Sequence, residues 1–166
     1  MFKKGDYVVC GKNGVCQVLD IDTPDFLWAD REKKYYVLQP VYMPSGRVYI
    51  PVEQNRVLVR RALGREEVDA LIASIPDIEL IPITNEKTCE EKYRECLYKN
   101  ECREWVRILK TTYVRRRRRN QDGRKVTSID YKYQKLAEEN LYGEFALALG
   151  IERERVEDYI ADQIKK

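Results

Sequence analysis

Five consecutive arginines, Arg115 to Arg119, are the most unusual chemical feature of the sequence. The turn at residues 120–123 follows them, and Arg124 and Lys125 extend the cationic stretch. Adjacent like charges repel one another, so such a run is either solvated or neutralised by a partner, and a phosphate backbone neutralises many guanidinium groups at once. The pattern favours a nucleic-acid-binding surface. The alternative is a solvated helix end whose cations complement the helix dipole.

The charge around this run is unevenly distributed. The chain has 166 residues with 31 Lys+Arg and 28 Asp+Glu, which is close to neutral. Residues 92–135 nevertheless contain 15 basic and 5 acidic side chains, whereas residues 136–166 contain 4 and 8. Apolar residues make up 43% and charged residues 36%, a composition typical of a folded domain and too charged for a membrane protein. The basic surplus therefore belongs to one region of a globular chain.

Catalytic chemistry is poorly represented in the sequence. Histidine is absent, which removes the commonest general base and the imidazole metal ligand. No phosphate-binding glycine loop, nucleophile elbow or CxxC pair occurs, and we expect no enzyme activity, no metal and no cofactor. The five cysteines are odd in number, so we interpret them as small buried side chains of a protein in a reducing cytoplasm.

The elements that position the cations follow from periodicity. Before residue 60, short runs with alternating apolar residues predict antiparallel strands, with a hairpin turn at residues 43–46. The predicted strands are 6–10, 15–21, 34–42 and 47–52. Strands this short bury one face unless the sheet curls, so we expect a small antiparallel β-barrel that still leaves an edge for a partner.

After Gly64 the apolar period changes to that of a helix, which Pro76 ends. We predict domains at 1–75 and 88–166, joined by a linker at 76–87. Thr88 and Thr127 each begin a capping-box pattern for a helix, and Gly150 is at a C-terminal cap position.

The two tryptophans receive different interpretations. Trp105 is in phase with the apolar stripe of its helix, together with Tyr113, and we assign it to the core. Trp28 lies in the loop at residues 24–31, where exposure and burial under the barrel's open end are equally consistent with the pattern.

The order of several segments resembles the CarD family of transcription regulators. The segments are Phe2 to Val9, Gly14-Val15, Lys34 to Leu38, Arg47 to Glu53, Arg60 to Gly64, Glu90 to Arg94 and Leu141 to Ala148. The resemblance implies an α+β protein in which a Tudor-like barrel, shared with transcription-repair coupling factors, docks on the RNA polymerase β subunit. It also implies an all-helical C-terminal domain that binds promoter DNA near the upstream edge of the melted region and stabilises the open complex.

The resemblance also implies particular contact residues. The polymerase-binding strand corresponds to Arg47, Val48, Tyr49, Ile50 and Pro51. The DNA-facing basic residues of the family correspond to Lys92, Arg94 and Lys132, and the arginine run adds Arg115, Arg116, Arg117, Arg118, Arg119, Arg124 and Lys125. The family tends to insert a tryptophan into the minor groove at about the position of Cys89, which has no ring.

Two other classes of function fit the same composition. One is a protein-interaction adaptor whose helical domain binds an acidic protein, and the other is an RNA-binding factor. Because no apolar run is long enough to span a bilayer, we expect a cytoplasmic protein with no membrane partner. The resemblance to the CarD family implies that it is associated with the nucleoid through RNA polymerase. The sequence does not indicate the oligomeric state.

Overall fold

The computed structural model describes residues 2–22, 33–53 and 59–165. Contacts divide the chain into two compact units, Met1–Ala62 and Leu63–Lys166. The first unit contains strands and the second contains helices, so the predicted α+β class is confirmed. Trp28 lies outside the described residues.

The described residues of the first unit form a five-stranded antiparallel sheet. Its strands are β1 Tyr7–Cys10, β2 Val15–Asp22, β3 Tyr35–Pro40, β4 Val48–Pro51 and β5 Val59–Arg61. They are arranged in the order β4-β3-β2-β1-β5. The predicted turn connects β3 to β4, where the N–H of Gly46 donates to the carbonyl of Met43 at 2.8 Å.

The sheet is open, so the prediction of a barrel was wrong in this respect. Within the described residues no pairing joins β4 to β5, and each has one neighbouring strand. The open sheet still buries one apolar face, because the side chains on that face pack against one another in a single cluster. The cluster consists of Val8, Cys10, Cys16, Val18, Tyr36, Leu38 and Ile50, with Phe2, Ile21, Val48, Val52 and Val59 packed against it.

Residues 63–165 of the second unit form five α-helices. They are α1 Arg65–Ser74, α2 Cys89–Tyr98, α3 Cys102–Gln121, α4 Ser128–Leu149 and α5 Val156–Ile164. Helices α3 and α4 make the most extensive helix pair. Trp105 is 1% exposed and belongs to this core, as predicted.

The helix ends show which local signals act. The Thr127 hydroxyl accepts from the Asp130 N–H at 3.1 Å, and Gly150 ends α4 with φ +68°, as predicted. Asn100 separates α2 from α3 with φ +57°, a conformation that asparagine tolerates. The Thr88 box does not form, because the Thr88 hydroxyl donates instead to the carbonyl of Asn85 at 3.0 Å.

The boundary between the units lies at Ala62 and Leu63, earlier than the sequence predicted. Helix α1 packs against α4 and α5 inside the second unit. Residues 76–87, predicted as a linker, contribute the buried side chains of Ile78 and Ile81 to that core. The apolar residues of this segment do not follow the spacing of a helix or a strand, so the sequence shows no periodic signal there. Their burial nevertheless holds the segment against the core.

Candidate functional site

The outer edge of β4 is the first candidate. Among the described strands β4 pairs only with β3, and the Val52 N–H donates to the Lys34 carbonyl at 2.9 Å. Antiparallel hydrogen bonding alternates along a strand, so Val48 and Ile50 direct their backbone groups to β3. Tyr49 therefore directs its N–H and C=O away from β3, and Pro51 has no N–H to direct. Among the described strands, no other strand lies along this edge of β4.

The residues predicted to bind polymerase do not all share one role. The Arg47 guanidinium donates to the carbonyls of Pro44 at 2.8 Å and Gly46 at 2.6 Å, so it stabilises the turn before β4. Ile50 is 5% exposed and belongs to the sheet core. All five residues thus lie at one edge of the sheet. There the backbone N–H and C=O of Tyr49 point away from β3.

The opposite edge of the sheet, on β5, is different. It is three residues long, and the Arg60 guanidinium donates to the Arg61 carbonyl at 3.3 Å. The Arg61 guanidinium donates in turn to the Ala62 carbonyl at 3.0 Å. Short edge strands with charged side chains disfavour pairing with another chain. Of the two edges, β4 is the better template for strand addition.

Arg115 has a structural role in the second unit. Its guanidinium pairs with Asp130, which is fully buried, at 3.1 Å and with Glu86 at 2.7 Å. The Tyr93 hydroxyl donates to the same Asp130 carboxylate at 2.7 Å. Helices α2, α3 and α4 therefore meet at one buried carboxylate, and Arg115, which was predicted to bind DNA, is neutralised within the fold.

The other cations of the run remain available. In the described part of the chain, none of them has a carboxylate partner within salt-bridge distance. We call this group the cationic tip; its members are Arg116, Arg117, Arg118, Arg119, Arg124 and Lys125. The Arg116 guanidinium bonds the Gln134 amide oxygen, and the Arg119 guanidinium donates to the Lys125 carbonyl at 2.6 Å. These neutral partners orient the cations without cancelling their charge, so the tip is suited to an anionic partner.

The basic residues suggested by the family resemblance form no single group. Arg94 and Lys132 both pair with Glu90, at 3.7 Å and 3.4 Å. Hydrogen bonds from Tyr133 and then Lys132 lower the pKa of the Glu90 carboxyl. Lys92 is two residues from Arg94 on α2, which places it about 200° away around the helix. Lys92 and Arg94 therefore face different sides of the unit.

Exposed tyrosines were missed by the sequence analysis. Tyr113 is 59% and Tyr131 is 52% exposed, although the apolar stripe placed Tyr113 in the core. The Arg117 guanidinium lies 5.9 Å from the Tyr113 ring centre, and the Lys135 ammonium lies 5.5 Å from the Tyr131 ring centre. The spacing of four residues between each ring and its cation was visible in the sequence and could have indicated this arrangement.

All five cysteines are buried and free, as predicted. Burial raises the pKa of Cys89 and of Cys96 to about 11, so both thiols are neutral at pH 7. No group of acidic residues and cysteines with the geometry of a metal site occurs in residues 2–22, 33–53 and 59–165. Within the same residues, no helix has both the length and the apolar character that a bilayer crossing requires.

An exposed sheet edge on one unit and a cationic tip without carboxylate partners on the other are features typical of surfaces that bind other macromolecules. A family model described as the CarD-like/TRCF RID domain matches residues 2–63. The first unit is therefore a CarD-like RNA-polymerase-interacting domain, which supports a transcription-related role in binding RNA polymerase. No curated protein matches the chain.

Proposed function

We propose that the protein is a non-catalytic transcription regulator that binds the RNA polymerase β subunit through the β4 edge and promoter DNA through the cationic tip. Bound to both, it stabilises the open complex. The proposal rests chiefly on the β4 edge of a domain that belongs to the RNA-polymerase-interacting family. It also places the protein in the cytoplasm, where polymerase and DNA are.

Strand addition supplies the polymerase contact in this proposal. An extended segment of β would pair with the outward backbone groups of β4, and main-chain hydrogen bonds would provide affinity. The side chain of Tyr49 would contribute to specificity. The Arg47 bonds to the preceding turn hold the start of this strand in place.

The cationic tip supplies the DNA contact. Six cations without carboxylate partners attract phosphates and release counterions from the duplex, which gives affinity with little sequence preference. Arg94 and Lys132 retain a carboxylate neighbour in Glu90 and would contribute less. The adaptor and RNA-binding alternatives predict a different partner for the same cations.

A proline substitution on β4 tests the polymerase contact. Tyr49→Pro removes an outward N–H but no hydrogen bond to β3, so we expect at least a tenfold loss of affinity for the purified β subunit with the sheet still folded. Isothermal titration with the full chain measures the affinity, and circular dichroism monitors the fold.

Arg61→Pro is the matched control, because the β1–β5 register directs the Arg61 N–H to the outer edge of β5. We expect this variant to bind β as tightly as the unmodified protein. Unchanged binding by Tyr49→Pro, or an equal loss in both variants, would reject strand addition at β4.

A further inference from the structure

Two aromatic rings on the surface of the second unit have similar surroundings. Tyr113 on α3 and Tyr131 on α4 are more than half exposed, and a cation one turn further along each helix lies near each ring. Single exposed rings are common on protein surfaces, but rings that share one surface with cations can form an interaction site. The cations Arg117 and Lys135 remain solvent-accessible beside these rings, since both residues are exposed.

The contacts between α3 and α4 place both rings on one face. Arg116 bonds Gln134 across the two antiparallel helices, so these residues mark the line where the helices meet. Each tyrosine precedes its reference residue by three positions, which at about 100° per residue is a rotation of about 60° around the helix axis. Tyr113 is therefore about 60° from Arg116 around α3, and Tyr131 is about 60° from Gln134 around α4, in the same sense.

The direction of that rotation identifies the face. On α4, Tyr133 stacks on Tyr93 of α2 at 5.4 Å, and Tyr131 lies on the other side of the contact line. Because the helices are antiparallel, the same rotation on α3 carries Tyr113 to the same side. We call the surface formed by Tyr113, Arg117, Tyr131 and Lys135 the tyrosine face. It is the side of the α3–α4 pair opposite α2.

The charge around the tyrosine face is asymmetric. Arg117 also belongs to the cationic tip, so the face continues into that tip at one end. At the other end Glu138 pairs with Lys135 at 3.7 Å and accepts from Gln134 at 2.9 Å. Beyond it, a shallow groove of about 300 Å³ is lined by both signs, including Glu139 and Glu154. An anionic chain following the cations would end at Glu138.

Rings and cations in this arrangement suit unpaired bases. A nucleobase stacks on an exposed aromatic ring while cations hold its phosphates, and this contact tolerates any sequence. Bases in a duplex are already stacked inside the helix, so rings lying on a flat helical face cannot reach them. Neighbouring helix axes are about 8–10 Å apart, which lets the two rings serve different nucleotides of one strand.

We propose that the tyrosine face binds single-stranded DNA by stacking bases on Tyr113 and Tyr131, with its phosphates on the cationic tip. This inference rests on the DNA binding proposed above and adds the form of DNA that this surface takes. In a partly melted promoter such a surface would engage an unpaired strand.

The test measures the affinity of the full-length protein for a fluorescein-labelled 20-nucleotide strand and for the duplex of the same sequence by fluorescence anisotropy. For Tyr113→Ala combined with Tyr131→Ala we expect the dissociation constant for the single strand to rise at least tenfold. The constant for the duplex should change less than twofold. Tyr113→Phe combined with Tyr131→Phe should retain single-strand affinity, because phenylalanine keeps the stacking ring.

Tyr98→Ala is the matched control, since Tyr98 is 55% exposed but lies on α2. It should bind both probes like the unmodified protein. Single-strand affinity within twofold of normal in the double alanine variant would overturn the proposal, as would an equal loss for strand and duplex. Displacement of the labelled strand by polyglutamate as effectively as by unlabelled DNA would assign the face to an acidic protein and also overturn it.

Two further measurements distinguish failure of the single-strand proposal from failure of the proposed duplex binding. A preference of more than tenfold for an RNA strand of the same sequence would reject the assignment to DNA. If the unmodified protein binds no duplex but binds the single strand in a tyrosine-dependent way, the tyrosine face is supported and the duplex contact of the proposed function fails.

Discussion

Arg115 and its neighbours show how one residue type takes different roles within a single run. Arg115 is 15% exposed and pairs with a carboxylate that has no access to solvent, whereas Arg117 and Arg118 are exposed. A helix turns about 100° per residue, so consecutive arginines cannot share one environment. The first arginine of the run stabilises the fold, and those after it are available for a partner.

This difference leads to a prediction about stability. Arg115→Ala would leave Asp130 buried with Tyr93 but without its cation, and breaking a buried pair in this way typically destabilises a protein by about 3–5 kcal/mol. We expect a loss of that size in the free energy of unfolding, measured by urea denaturation. Arg118→Ala, the matched control, should change it by less than about 0.5 kcal/mol. Equal effects of the two substitutions would contradict the structural role of Arg115.

At the level of elements, the segment before α2 belongs to the helical unit. The Lys110 ammonium donates to the carbonyls of Ile75 at 2.7 Å and Ile78 at 2.6 Å, and the Ile81 N–H donates to the Thr111 hydroxyl at 2.9 Å. These bonds tie the segment to α3. A helical domain that begins near residue 84 would lack them.

Two fragments test this point. Residues 63–166 should unfold cooperatively, whereas residues 84–166 lack the buried Ile78 and Ile81 together with α1. Fully burying an isoleucine contributes about 1.5–3 kcal/mol, so the shorter fragment should be less stable by about 3 kcal/mol or more. Urea denaturation followed by circular dichroism compares the two fragments. A shared unfolding midpoint would show that residues 76–87 behave as the linker that the sequence predicted.

At the scale of the whole molecule, the two proposed interaction sites would depend on different forces. The β4 edge offers backbone hydrogen bonds, which respond little to salt, and the cationic tip offers electrostatic attraction, which salt screens. Residues 92–135 have ten more basic than acidic side chains (15 − 5), while residues 136–166 have four fewer (4 − 8). We therefore expect DNA binding to depend on the basic residues within 92–135 and not on those within 136–166.

A salt series on the full chain measures this. If the tip contacts four to six phosphates, log K for a duplex should fall against log salt with a slope of roughly −4 to −5. Arg118→Ala with Arg124→Ala should flatten the slope by about one to two units. Arg155→Ala with Lys165→Ala removes the same charge from the acid-rich end and should leave the slope unchanged. A shallow slope that neither pair alters would mean that the tip is only a solvated helix end.

Local signals in the sequence were sufficient for most elements. Each of these signals lies close in sequence to the element that it predicts. They are the change of apolar period at Gly64, the Thr127 cap, the glycine at position 150 and the ordered segments from Phe2 to Glu53. Such signals operate through the backbone and nearby side chains, so they can be recognised without the fold. They predicted β1 to β4 and the helices, the core position of Trp105 and the family of the first unit, whereas β5 was not predicted.

Long-range contacts decided the rest. No sequence pattern connects Arg115 to Asp130, or places Tyr113 and Tyr131 on one face, because each pairing depends on how α3 crosses α4. The open sheet likewise depends on which strands pair at its edges. The amino-acid sequence by itself determined most of the elements, the positions of the cations along the chain and the family of the first unit. Only the tertiary structure decided which cations are neutralised, because neutralisation requires a carboxylate brought close in space by packing.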